Sequence, residues 1–331
     1  YDEYLKQEQD DAVASIEWIA KQPWSDGNVG MMGKSWSGFN SLQVAARRPE
    51  PLKAIICVGF VDDRYVQDIH YKGGCLLNDN FWWGNIMLAY MCRAVDSEIK
   101  PDTWKEESIK RLEEMPLWPK NWLEHQTKDD YWRHGSVGEN YADIQVPVFA
   151  LDGWADSYTN SVLTLMNGLN VPRKAMIGPW AHVFAHDGAP GPAIDFLGEA
   201  TKWWDKWLKG IDNDAMDCPQ VQVWLEDSMK PETVHPVSNG RWVGLDSWPS
   251  ADVAMKTLSM TYGKLQEEAN TKEEIVDLCT LPNHGLLANE WMGAGVSGES
   301  PADMRVDDGM AMVFDSDVLE KEVEIVGYPE F

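Results

Sequence analysis

Basic residues are scarce: 28 Lys and Arg stand against 54 Asp and Glu in 331 residues, a formal charge of −26. A surface of that sign repels nucleic-acid phosphates and anionic lipid, so neither is expected as a partner. Cysteine is thin as well. Cys57, Cys75, Cys92, Cys218 and Cys279 are dispersed with no C-x-x-C spacing. An odd, scattered set reads as free thiols in a reducing, cytoplasmic compartment rather than as a disulfide frame or a zinc site. No apolar stretch approaches the ~18 residues of a membrane span, and no secretory leader, internal repeat or low-complexity segment is visible. What remains is ordinary soluble composition, 44% apolar and 25% charged, in a chain long enough to bury a sizeable core. It starts at "YDEYLKQEQDD", on helix-like sequence without an initiator Met, and so reads as a piece of something longer.

Along the chain the apolar period changes several times. "DDAVASIEWIAKQ" (10–22) puts Val13, Ile16, Ile19 and Ala20 at helical spacing, and "VGMMG" (29–33) is a short apolar run bounded by glycines. A second helical pattern, with Phe39, Leu42, Val44 and Ala45, stops before Pro49, and "LKAIICVGF" (52–60) is another buried-strand run. Helix, strand, helix, strand with short connections predicts a parallel sheet covered by helices. Residues 62–143 lack buried-strand runs and carry many aromatics among helix-like segments, which reads as an inserted helical subdomain. The strand pattern resumes in "VPVFALDG" (146–153) and "RKAMIGP" (173–179), with helices expected over 157–168 and 193–210. From about residue 219 alternating runs ("QVQVWLE", "RWVGLDSWP", "KTLSMTY", "AMVFDSDVLEKEVEIVGY") suggest a separate β-domain that itself looks cut short.

"GNVGMMGKSWSG" (27–38) admits two chemistries. A phosphate-binding P-loop needs G-x-x-x-x-G-K-[ST], and the register fails, because the first glycine position is Asn28. A nucleophile elbow needs a strand, a sharp turn holding the nucleophile, then a helix, with small residues where strand and helix pass. The order here is "VGMMG", Lys34-Ser35-Trp36, then "SGFNSLQVAARR". Gly33 lies two before the serine, and Ser37 followed by Gly38 takes the place after it, a departure from the common G-x-S-x-G. A serine opening a helix can also be only an N-cap.

The companions decide between those readings. An acid and a histidine should follow, each at the C-terminal end of a strand. Asp156 follows "VPVFALDG" and His182 follows "RKAMIGP", where a doubly wound sheet places its functional loops. Ser35 would attack, His182 would take and return its proton, and Asp156 would orient the imidazole. Asp152 and His186 are the fallbacks for acid and base. Ser37 would face the helix, and His70, His125 and His134, in the insert, read as structural or pocket-lining.

At these residues the sequence resembles the cocaine esterase and X-prolyl dipeptidyl-peptidase group of serine hydrolases (the CocE/NonD hydrolases). The stretches that carry the resemblance are "IEWIAKQPWSDGNVGMMGKSWSGF", "DGWAD", "IGPWAH", "WWDKWLKGID" and "VFDSDVLEKEVEIVG". It implies an α/β-hydrolase core with a mostly parallel sheet, an inserted helical cap and a following β jelly roll. The boundaries would be 1–61 and 144–215 for the core, 62–143 for the cap and 216–331 for a truncated β-sandwich. In the family the residue after the serine is usually Tyr; here it is Trp36, whose backbone N–H would be one oxyanion-hole donor. The second donor, a Tyr in a region preceding these residues, is not in this chain.

The resemblance further implies a small ester or amide as substrate, no metal and no organic cofactor; a homo-oligomer is compatible with it. Members acting on α-amino acid esters carry acidic residues just after the triad Asp, whereas Asp156 is followed by Ser157, Tyr158 and Thr159. That favours a plain ester or amide with an apolar or aromatic acyl group over X-Pro dipeptidyl-peptidase-like or acyl-peptide hydrolysis. Trp36, Trp154, Trp180 and the cap's Phe81, Trp82 and Trp83 would suit an aromatic-lined pocket, with core packing as the alternative for the cap tryptophans. A binding module on a vestigial hydrolase fold is the reading from another class.

Overall fold

Parallel pairing of two short apolar strands organises the first part of the chain. A computed structural model describes residues 2–273 and 275–330. They form two compact units: Tyr1–Val148 with Gly168–Pro172 and Trp207–Lys209, and the remainder. In the first unit, α1 (Lys6–Ala20) buries Ile16 and Gln9 and ends just before Pro23, which cannot continue a helix. Strand β1 (Val29–Lys34) leads through a tight turn into α2 (Trp36–Ala46), which packs on β1 and on β2 (Leu52–Val58). The two strands are parallel, in register from Gly30↔Ala54 to Lys34↔Val58. Nearly all of β2 is buried, and burial pushes the Cys57 thiol upward, so this cysteine is an inert core residue.

The insert opens with a small hairpin, β3 (Tyr71–Lys72) and β4 (Cys75–Leu76), turned by Gly73 and Gly74 at φ 57° and 82°. It continues as α3 (Asp79–Met91), α4 (Trp104–Glu113), α5 (Trp118–Glu124) and α6 (Asp130–Arg133). Its own core is aromatic: Tyr71, Trp118, Trp122 and Trp132 are buried together, with Trp36, Tyr65 and Trp83 packed against them. Charge is buried beside it. Glu3 Oε1 takes Arg64 Nη2 at 3.0 Å and His70 Nε2 at 2.7 Å, while His70 Nδ1 faces Asn80 Oδ1 at 2.6 Å. Arg64 also donates to the carbonyls of Tyr131 and His134 and lies over the Tyr4 ring at 5.0 Å. Both His70 nitrogens face oxygen acceptors, so the ring is an imidazolium here. Burial opposes that charge, but Glu3, Asp68 and Asn80 outweigh it and raise the pKa. Burial likewise works against the Glu3 anion, yet His70 and Arg64 hold its carboxyl down at about 2. Asp68 goes the other way: burial, the largest influence, pushes it up to about 6.

In the second unit, β5 (Val148–Gly153), α7 (Asn160–Gly168, whose last residue belongs to the first unit), β6 (Arg173–Gly178) and α8 (Phe196–Lys209) follow in order. Asp195 caps α8 by accepting the Gly198 N–H at 2.9 Å, and Gly210 closes it in the left-handed region at φ 68°. The sheet runs β5-β6-β7-β8, with β7 (Val221–Glu226) parallel to β6 and β8 (Gly240–Leu245) antiparallel to β7. The protein therefore has an α/β fold with a mostly parallel central sheet.

Two expectations for the C-terminal third are corrected. "QVQVWLE" does not open a separate β-domain; β7 is a strand of the α/β sheet, its alternation being that of a strand with Val221, Val223 and Leu225 buried on one face. The run 311–328 holds no named strand among the described residues. An alternating sequence becomes a strand only against a ladder partner, and the pairing seen there is the single bridge Lys264↔Asp315. The region does form a hairpin, β9 (Ser259–Thr261) with β10 (Lys264–Gln266), and one helical turn, α9 (Arg305–Asp308).

The Glu3 network makes a stability prediction. Glu3→Gln leaves buried cations uncompensated and is expected to lose roughly 3–5 kcal/mol at pH 7 in urea unfolding. The carboxyl lies below the unfolded value of about 4.3, so its contribution is complete above that pH and disappears as pH falls toward 2. The gap between wild type and variant should therefore close on acidification. A gap below about 1 kcal/mol at pH 7 would reduce the network to the worth of a surface pair.

Candidate active site

The turn between β1 and α2 is set by close approach. A Cβ on Gly33 would stand 2.3 Å from the Ser37 carbonyl carbon, and one on Gly38 would stand 3.0 Å from the Val58 carbonyl oxygen. At Gly33 only glycine lets strand and helix pass, whereas at Gly38 a side chain would need its neighbours to give by a few tenths of an ångström. Between them Ser35 is held at φ 60°, ψ −129°, a backbone conformation costing about 1–3 kcal/mol for a residue with a side chain. The surroundings enforce it: the Ser35 N–H donates to the Val58 and Gly59 carbonyls at 2.9 and 3.0 Å, and its own carbonyl accepts the Phe39 N–H at 3.0 Å. Ser35 is partly exposed. Ser37 Oγ donates to the Lys34 carbonyl at 2.8 Å, which ties that hydroxyl to the turn. The phosphate-loop reading fails on the backbone, because residues 29–34 are a strand laddered to β2 and not a loop with inward N–H groups. Trp36 opens α2, its indole donating to Glu8 Oε1 at 2.6 Å, and the Asn40 amide reaches the same oxygen at 2.7 Å.

In the second unit the loops leaving β5 and β6 are laced together by backbone. Trp154 N–H donates to the Gly178 carbonyl at 2.9 Å and Ala155 N–H to the Trp180 carbonyl at 3.1 Å. A Cβ on Gly153 would fall 1.9 Å from the Trp180 oxygen, so glycine is obligatory there too. This lacing brings Asp156 and His182 together: Asp156 Oδ2 lies 2.6 Å from His182 Nδ1, and Oδ1 accepts the Tyr158 N–H at 3.0 Å. Both residues are buried. Burial raises the Asp156 pKa, but the His182 charge and hydrogen bond, a hydrogen bond with the Asp152 carboxyl and the Tyr158 N–H more than reverse it, leaving it lowered. An ionised Asp156 accepts, so this hydrogen bond places a proton on His182 Nδ1. Tyr158 stands edge-on to the imidazole at 5.6 Å.

The family pattern of X-Pro dipeptidyl-peptidase (S15 family) matches residues 2–184, more than half of the chain. The chain belongs to the S15 family. It is 25% identical to the cocaine esterase of Rhodococcus sp. (strain MB1 Bresler) over 261 residues, covering 69% of this chain and 46% of that protein. Against the Xaa-Pro dipeptidyl-peptidase of Lacticaseibacillus rhamnosus it is 24% identical over 261 residues, covering 69% and 30%. In fold it is similar to a CocE/NonD family hydrolase from Staphylococcus aureus, with TM-score 0.63 and 19% identity over 81% of this chain and 44% of that one. The S15 chain spans about half the length of the curated relatives it matches.

The remaining candidates in this S15 chain separate by contact. Asp152, buried behind the pair, accepts the Gly153 N–H at 2.9 Å and supports Asp156 rather than replacing it. His186 stacks on Phe184 and Phe196 and faces Asp187 at 3.5 Å. Trp180 is a core residue: it is fully buried, donates to the Pro192 carbonyl at 2.8 Å and fills the space over Gly178 and Gly188. The pocket-lining expectation for it gives way to packing. Trp154 is half-buried, with its indole on the Trp224 carbonyl at 2.7 Å. Phe81 and Trp82 stand exposed on α3, and Trp83 joins the aromatic core of the insert. His70, His125 and His134 are structural, each ring hydrogen-bonded within the first unit.

One group among the described residues has metal-ligand spacing, Glu3, Asp68 and His70, with atoms within 4.8 Å. Glu3 in this group also takes the Arg64 guanidinium at 3.0 Å and His70 at 2.7 Å, so the three residues belong to the buried ion-pair network. Sequence reasoning missed Asp152 as a support, and it missed residues 291–299, which pack on both catalytic-type loops and carry no motif.

Gly33→Ala tests the elbow geometry. The added methyl meets backbone rather than a flexible side chain, so the expected loss is roughly 1–3 kcal/mol or more in chemical denaturation. An unchanged midpoint would mean that strand and helix do not pass at this distance.

Proposed function

We propose that the protein to which this chain belongs is a serine hydrolase that cleaves carboxylic esters or amides through an acyl-enzyme. Ser35 is the nucleophile, His182 the general base and acid, and Asp156 the group that orients and stabilises the imidazolium. The observation that carries the reading is the buried Asp156–His182 pair at 2.6 Å, in a chain whose β1–α2 turn holds a serine in strained geometry. His182 Nε2 takes the Ser35 proton as Oγ attacks the acyl carbon, and the tetrahedral oxyanion draws on the Trp36 backbone N–H, at a helix start where such donors lack intrahelical acceptors. The intermediate collapses, the alcohol or amine leaves with the proton from His182, and water repeats the sequence to release the acid.

An ester or amide with an apolar or aromatic acyl group is the preferred substrate. The residues after Asp156 present no carboxylate to a substrate amine: Ser157 donates to the Trp291 carbonyl and Thr159 to the Asp156 carbonyl. Dipeptidyl-peptidase chemistry is the second reading, supported by relatives named for it. The stretch beyond β8 is, in this proposal, the beginning of a β jelly roll, with the β9–β10 hairpin as its support.

In the complete gene product, Ser35→Ala is expected to abolish labelling by a fluorophosphonate, and undiminished labelling would sink the assignment. Asp156→Asn should lower turnover about 10⁴-fold, because an amide stabilises the wrong tautomer of His182. Turnover of p-nitrophenyl esters against X-Pro anilides decides between the two substrate readings.

A further inference from the structure

Residues 291–299 lie beyond the stretch that matches the family, yet they touch both loops of the acid–base pair. The Ser157 hydroxyl, one residue after the acid, donates to the Trp291 carbonyl. The backbone N–H of His182 donates to the Gly293 carbonyl at 2.8 Å. Two carbonyls only two residues apart thus brace the acid loop and the base loop from one side. The Trp291 ring extends the contact by standing edge-on to Tyr158 at 6.1 Å, and Tyr158 stands edge-on to His182.

The brace is itself shaped by one side chain. Glu299 Oε2 accepts the N–H groups of both Ala294 and Val296 at 2.8 Å. Two charge-assisted bonds on one carboxylate oxygen are strong for their size, and they fold residues 293–296 into a turn. Gly295, at φ 78° and with a Cβ position 3.2 Å from Ala189 Cβ, lets the turn seat against the loop after His182. Asn289 ties the neck of the segment by donating to the Ser300 carbonyl at 3.2 Å.

We infer that Glu299 is a positioning residue for the general base: it shapes the 293–296 turn, whose Gly293 carbonyl fixes the His182 main chain. This rests on His182 acting as the base. Asp156 governs the ring through Nδ1, while the brace governs where the ring's backbone stands. Small displacements of a catalytic group are enough to cost about 10²-fold.

The test uses the full-length protein and an ester it turns over. Glu299→Ala should lower kcat roughly 10–100-fold with KM little changed, whereas Glu299→Gln, which keeps an acceptor oxygen, should retain most of kcat. Ser157→Ala removes the other anchor without touching the turn and should lower kcat in the same direction. If both act through one brace, the double variant falls little below the worse single one. Singles within about 2-fold of wild type, or effects that multiply fully in the double variant, overturn the inference. If Glu299→Ala does not fold, Ser157→Ala alone decides it by the same kcat criterion. His182→Ala separates the two levels: a dead His182→Ala beside a normal Glu299→Ala and Ser157→Ala refutes only the brace, while an active His182→Ala refutes the triad and the brace together.

Discussion

A carboxylate kept ionised inside the protein is the constraint on which the second unit depends. Burying Asp156 alone would push it toward the neutral acid and cost several kcal/mol. His182, the Asp152 carboxyl and the Tyr158 N–H reverse that tendency. Each of those partners must sit within hydrogen-bond distance, so the loops after β5 and β6 have little freedom. The backbone bonds from Trp154 and Ala155, and a glycine at 153 where no side chain fits, follow from the same requirement. The brace at 291–293 adds a third fixed point.

The first unit solves a similar problem by other means. Glu3 and Arg64 are buried, and with the His70 imidazolium they place an anion and two cations in an aromatic environment. Arg64 is surrounded by the faces of Tyr4, Tyr131 and Trp132, which accept a cation better than an aliphatic core would. The network holds the first described residues against the insert, since His134 also reaches the Tyr4 carbonyl at 2.7 Å. At the elbow the same unit supports a strained serine by satisfying its N–H and carbonyl. Strain persists where the neighbouring hydrogen bonds leave no relaxed alternative.

Local pattern was a good guide where the partner of an element is close in sequence. β1, α2 and β2 were legible because a buried strand, a glycine-bounded turn and an amphipathic helix each have their own signature. The elbow's register could be read as well, since Gly33 and Gly38 mark where backbone passes backbone. Pattern misled beyond residue 219. The period of "QVQVWLE" identifies a strand with one buried face but does not say which sheet receives it, and β6 does. The run 311–328 shows the converse, alternation without a ladder. Trp180 illustrates the limit for single side chains: an aromatic next to a catalytic-type histidine looks like a pocket wall until its burial over Gly178 and Gly188 is seen.

The sequence by itself determined the α/β class, the order of nucleophile, acid and base candidates, and the places where only glycine fits. These are local matters of period, spacing and steric tolerance, and they are written in adjacent residues. Tertiary structure alone decided which carboxylate meets His182, that Asp152 hydrogen-bonds that carboxylate, that Glu3 is buried with Arg64 and His70, and that Gly293 and Trp291 reach the loops carrying His182 and Asp156. Those contacts join residues far apart in the chain, as with Glu3 to His70 and His182 to Gly293. Electrostatic support acts through space over a few ångströms, and chain separation carries no record of it.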